Sequence, residues 1–169
     1  MKIFNNKYLI PVWTILRVWL GFQWLIPGLE KIKDPTWVGS EAGVAITGFL
    51  KGALAKSTGD HPAVQWRYAR FVESVALPNV KIFTYLVPYG EVLVGISLIL
   101  GAFTIAGLLG GAFMNLNYLL AGTTSTNPIL YTAAIILIAA GVNAYKIGVD
   151  KFLIEYWNKK HGKSLKSVR

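Results

Sequence analysis

Between Lys81 and Lys146 the chain carries one charged side chain, Glu91, in the run VPYGEVLVGISLILG. A stretch so poor in charge cannot form the surface of a water-soluble domain. It suits the hydrocarbon layer of a membrane, which takes about 20 apolar residues per helical crossing. Composition agrees: of 169 residues 54% are hydrophobic and 15% charged, with a mean hydropathy of +0.48. Soluble domains carry nearer 25% charge.

Four spans are expected, at about 8–29, 82–101, 105–121 and 128–145. The hydroxyl-rich GTTSTN loop leads to Pro128 in the first turn of the last span, where proline is tolerated. The opening MKIFNNK plus an apolar run looks like a signal peptide. Arg17 in mid-run and the lack of a small-x-small cleavage site instead predict a retained helix. The insert 30–81 is too polar to span. Its segments VGSEAGVAITGFLKGALAK and PAVQWRYARFVESVAL space apolar residues as short amphipathic helices do, with a partly ordered loop as the alternative. The fold class expected is an all-α integral membrane protein. It is one four-transmembrane-helix bundle over 1–169, with amphipathic helices between the first two spans and a basic tail at 146–169.

Four crossings put both ends on one side. Those ends carry nine basic residues: Lys2, Lys7, Lys146, Lys151, Lys159, Lys160, Lys163, Lys166 and Arg169. The insert carries seven, so the positive-inside rule leans to a multi-pass cell-membrane protein with cytoplasmic termini. Basic residues confined to ends and one loop fit membrane lipid as a partner, not nucleic acid. With no cysteine, disulfides, thiol nucleophiles and thiolate-held clusters are excluded. His61 and His161 have no metal-ligand spacing, so no metal site is expected and any redox chemistry must borrow its electron acceptor.

Two intramembrane charges are candidates for function. At about 1.5 Å per residue, Arg17 lies about 15 Å in from Lys7, and Glu91 about 15 Å in from Lys81. Counted from opposite faces, both reach the midplane, which predicts an Arg17–Glu91 pair with Asn115 at similar depth. Arg17, Gly21, Trp24 and Gly28 share one helical face; Thr84, Pro88, Glu91 and Gly95 another; Gly107, Gly111 and Asn115 a third. The pair is either a latch that fixes helix register or a working proton relay or ligand pocket. Lys31, His61, Arg67 and Arg70 gather on the outer side, where they would attract a small anion or hold lipid headgroups. The tryptophans read as interfacial anchors or packing.

The segments RVWLGFQWLIPGLEKI, PYGEVLVGISLILG, FMNLNYLLAGTTSTNP and YKIGVDKFL together resemble the DoxX/DoxD family of small four-helix membrane proteins. The last two resemble the branch labelled as the large subunit of a thiosulfate:quinone oxidoreductase. Arg17, Gly28, Lys31, Glu91 and Gly95 fall on the family's pattern of Arg, Gly, Lys, Glu and Gly. The resemblance implies quinone as electron acceptor with no covalently bound cofactor, and oxidation of thiosulfate to tetrathionate. It also implies a separate small redox subunit in some systems; further copies of the chain are another expected partner. On this reading Lys31, Arg67, Arg70 and His61 bind thiosulfate, and Trp24 and Tyr89 contact the quinone. Arg17 steadies quinol charge, Glu91 moves protons, and Asn115 holds Glu91 or a quinone oxygen. The rival readings are a non-catalytic scaffold for a redox enzyme and a carrier of small anions or lipid.

Overall fold

A computed structural model describes residue 4 and residues 6–161 of the chain. Lys2, Lys163, Lys166 and Arg169 lie outside the described residues. Among the described residues every regular element is helical: α1 (Ile10–Lys33), α2 (Val44–Ala55), α3 (Trp66–Phe71), α4 (Val80–Leu100), α5 (Thr104–Leu120), α6 (Asn127–Ala140), α7 (Val142–Tyr145) and α8 (Val149–Lys160). A 3-10 turn at Lys7–Leu9 leads into α1, and a π-helical turn at Val72–Ala76 prolongs α3. By length and apolar character α1 and α4 are each able to cross a membrane; α5 and α6 are apolar but shorter.

These four helices close a ring, α1 along α4, α4 on α5, α5 on α6, and α6 back on α1. The α1–α4 seam is the tightest because small residues line it. A Cβ on Gly95 would sit 2.7 Å from the backbone nitrogen of Leu25, and one on Gly28 would sit 2.9 Å from that of Val92. Backbones that approach so closely gain dispersion contacts, the main attraction between helices in lipid. At the centre Leu20, Leu98, Leu108 and Leu137 are fully buried and form a dry layer.

The seam also fixes register. Gly28 faces Glu91, and Arg17 packs against Gly101. Eleven helical residues therefore separate the levels of Arg17 and Glu91, about 16 Å at 1.5 Å per residue. The expected Arg17–Glu91 pair does not form. Counting inward from Lys7 and Lys81 failed because α4 begins beyond the Lys33 end of α1. Its extra turns are wrapped by the insert, where Trp37, Val80 and Phe83 pack on the apolar cluster of Ile46, Leu50, Val72 and Ala76.

That insert is a folded cap. Asp34 Oδ1 accepts from the Thr36 amide at 2.9 Å and the Thr36 hydroxyl at 2.7 Å, which turns the chain out of α1. The same two bonds hold the Asp34 carboxyl below the usual carboxylate range, the side-chain bond contributing more. Three ties pin the cap down: the Thr84 hydroxyl donates to the Trp37 carbonyl (2.6 Å), the Tyr68 hydroxyl to the Asn117 carbonyl (3.0 Å), and Lys56 to the Gly122 carbonyl (2.9 Å). Burial pushes the Tyr68 hydroxyl above its ordinary range. At the opposite end α8 leaves Phe152, Leu153, Tyr156 and Trp157 exposed beside Lys159 and Lys160. That apolar-and-basic pattern suits a helix lying in a headgroup region.

Candidate functional site

Glu91 is the chemical centre of the capped end. Its partner is Lys31, whose Nζ stands 2.9 Å from Oε1 and 2.7 Å from Oε2. The Tyr118 hydroxyl donates to Oε1 at 2.8 Å. The Glu91 side chain is 2% exposed and that of Lys31 25%, so the pair joins a buried acid to a partly exposed lysine. A carboxyl group withdrawn this far needs hydrogen-bond partners, and these three bonds supply them.

Each element delivers its group for a local reason. Lys31 is in the last turn of α1, where a cation favours the carbonyl end of the helix dipole. Glu91 reaches it because Gly28 leaves no side chain in the way. Tyr118 leans back along α5 as helical aromatics do, and is wedged between Trp24 (centroids 6.4 Å) and Phe49 of the cap (6.0 Å, edge-on). Trp37, also from the cap, sets its ring 5.6 Å from the Lys31 ammonium.

Around this triad lies a cavity of about 260 Å³, walled by Lys31, Glu91, Tyr118, Trp24 and the hydroxyls and amide of Thr123, Ser125, Thr126 and Asn127. Gln23, Pro27, Trp37, Ile46, Phe49 and Leu130 complete it. The cavity therefore offers one cation, one anion and several neutral donors, enough to hold a small polar ion against aromatic walls.

The anticipated residues divide. Lys31, Glu91 and Trp24 meet in this cavity. Asn115 lies one helical step before Tyr118, is fully buried, and has neither amide atom hydrogen-bonded to the protein. Arg67 and Arg70 are exposed and rest on Trp66, at 5.4 and 5.9 Å, outside the cavity; His61 is exposed as well. Tyr89 points away at 47% exposure. Tyr118 and Trp37 were not anticipated. A signal existed for Tyr118, which continues the Gly107, Gly111, Asn115 face by one step.

Arg17 belongs to the other end. It is buried, donates to the Ala144 carbonyl at 3.2 Å, and occupies space that only glycine at positions 101 and 148 leaves open. Gly101 also ends α4 with φ +64°, a conformation a side chain would strain. Asp150, the opposing charge nearby, accepts from the Phe103 and Thr104 amides at 2.6 and 2.8 Å and so caps the start of α5.

The Arg17, Gly28, Lys31, Glu91 and Gly95 positions thus all lie on the α1–α4 seam or at its ends. No curated protein and no solved structure matches the chain. The model of the DoxX family does match, over residues 12–124, which takes in the seam, the cap and the Lys31, Glu91 and Tyr118 side chains but not Ser125, Thr126 and Asn127 of the cavity wall. With its apolar helices and this match, the chain is a membrane protein that belongs to the DoxX family.

Proposed function

We propose that the chain is the membrane subunit of a thiosulfate:quinone oxidoreductase. Two thiosulfate ions lose one electron each as their outer sulfurs join into the S–S bond of tetrathionate. One lipid-soluble quinone takes both electrons and two protons and leaves as quinol. What carries this reading is the Lys31–Glu91–Tyr118 triad at the wall of the polar cavity. Thiosulfate sits in the cavity against Lys31 and the loop hydroxyls. The triad relays protons inward from Lys31, its more exposed member. Arg17 takes no part in this version, and neither do Arg67, Arg70, His61 or Tyr89.

The same reading makes the chain a multi-pass cell-membrane protein with α5 and the α6–α7 pair as the third and fourth spans. Lys7, Lys146, Lys151, Lys159 and Lys160 then face the cytoplasm and the cap faces outward. The test uses the protein in nanodiscs with thiosulfate and decylubiquinone. Thiosulfate-dependent loss of quinone absorbance, with one tetrathionate per quinol, is the expected result. No reduction by the wild-type protein, with or without native membrane extract, overturns it.

A second reading has its own observation, the exposed face of Phe152, Tyr156 and Trp157 on α8. A scaffold would use that face to dock a redox enzyme. Purification from native membranes with one stoichiometric redox subunit, and activity only in its company, favours this reading.

A further inference from the structure

A second cavity adjoins the first. It is a groove of about 400 Å³ between α4 and α5, roofed by the cap, and its walls are almost wholly apolar. The two cavities share Ile46, Phe49 and Tyr118, so a partition one side chain thick divides them. On one side stand Lys31 and Glu91; on the other Leu93 and Phe113 line the groove while remaining largely exposed on the outer surface of the bundle. The groove is thus open sideways to the lipid, and the polar cavity is not part of it.

We infer that the groove is the binding site for the ring of a lipid-soluble quinone, and that Tyr118 with Phe49 is the wall through which the two substrates exchange electrons. This rests on the redox reading above and places its second substrate. The volume accommodates a substituted ring with the start of its tail. The aromatic side chains Phe49, Tyr68, Phe71 and Tyr118 offer faces and edges for it to stack on. Gly90 and Gly110 supply the width: a Cβ at either would find only ordinary contacts, at 3.5 Å to Met114 and 3.6 Å to Val94. Those glycines are not needed for helix packing as Gly28 and Gly95 are. They are where the groove is held open. Separation also answers a chemical need, since a doubly charged oxyanion and a quinone with an isoprenoid tail do not share one solvent. The two electrons released by two thiosulfate ions cross the partition to the quinone, two protons reach it along the Lys31–Glu91–Tyr118 triad, and the quinol returns to the lipid by the side it came from.

An azido-ubiquinone photoprobe tests the site in nanodiscs without thiosulfate, with adducts mapped by mass spectrometry. Labelling is expected at Met114, Tyr68 and Phe71. Gly90→Leu and Gly110→Leu, which fill the groove from facing helices, should each cut that labelling by about tenfold, the scale of an overpacked site. Gly48→Leu, at a position on α2 with open space around it, should leave labelling unchanged. Adducts at Trp24 or Gln23 instead put the ring in the polar cavity and overturn the inference. So do adducts on Leu86, Leu93 and Phe113 alone that both filling variants leave unaltered, the result for a probe merely dissolved in lipid. If wild-type protein labels in the groove yet thiosulfate reduces no quinone, the groove stands and the thiosulfate reading falls. If Gly90→Leu and Gly110→Leu turn over at the wild-type rate, the reading stands and the groove falls.

Discussion

The two ends of the bundle each set a cation near an acid and bury one of the two, the cation Arg17 at one end and the acid Glu91 at the other. At the Arg17 end the guanidinium is sealed by Gly101 and Gly148, and Asp150 spends both carboxylate oxygens on the first amides of α5. The guanidinium donates to the Ala144 carbonyl while its buried Nε has no hydrogen-bond partner among the described residues, so there it is the acid that backbone occupies. At the Lys31 end the acid is met only by side chains, the cation is a quarter exposed, and a cavity of about 260 Å³ opens beside them. Between the two, Leu20, Leu98, Leu108 and Leu137 are fully buried in one apolar cluster. Burial of charge in a membrane helix is therefore no guide to function by itself. What distinguishes the ends is whether the acid is bonded by backbone amides or lines a cavity.

The sharpest way to break this contrast is to neutralise one charge at each end. Glu91→Gln should lower thiosulfate-dependent quinone reduction by about 100-fold or more, the usual scale for removing a proton-transfer group. Arg17→Met should leave the turnover of folded protein within about twofold. Steady-state assays on monodisperse fractions check both, and equal losses would erase the distinction. Next in size is Gly101→Val, which forces a β-branched residue to φ +64° and into the guanidinium. A cost of about 3 kcal/mol is expected, read as a lower unfolding temperature in detergent. Asp150→Asn keeps the shape of the cap on α5 but not its charge, and should cost about 1 kcal/mol by the same measurement. Turnover should follow the surviving folded fraction in both variants.

The smallest effect concerns the cap over the Lys31 end. Asp34 has a lowered folded pKa, so its contribution is complete above the ordinary carboxylate range and fades as pH falls through the folded value. Tyr68 has a raised one, so its contribution is complete below the ordinary tyrosine range and fades as pH climbs above it. Protection against hydrogen exchange, relative to the intrinsic rate at each pH, should therefore fall at Thr36 only in acid and at residues 66–71 only in alkali, with Asp34→Asn removing the acid limb.

Much of this plan is legible in the chain. The faces of α1, α4 and α5 come directly from helical spacing: Arg17, Gly21, Trp24 and Gly28 are all buried, as are Thr84, Pro88, Glu91 and Gly95. Lys31 and Tyr118 are each the next step on a face already identified. Pairing was harder, because depth was measured from charged residues as if each marked a membrane edge. Lys81 marks no such edge; it sits in the first turn of a helix that overshoots its neighbour under a folded cap. The sliding position of two helices is set by which glycine meets which side chain, and only the assembled seam reveals that. The groove was illegible for a related reason. Its partition brings Phe49 from the insert against Tyr118 from α5, a contact no local pattern encodes.

The Asp150 cap has a consequence for how such a chain is made. The amides of Phe103 and Thr104 find their acceptor only in a residue translated 46 to 47 positions later. While α6 is still emerging from the ribosome, the start of α5 must therefore be held by water or by the insertion machinery. Arg17, older still, waits for the Ala144 carbonyl and for Gly148 to close over it. The earliest helix and the middle of the bundle are thus completed together by one late segment.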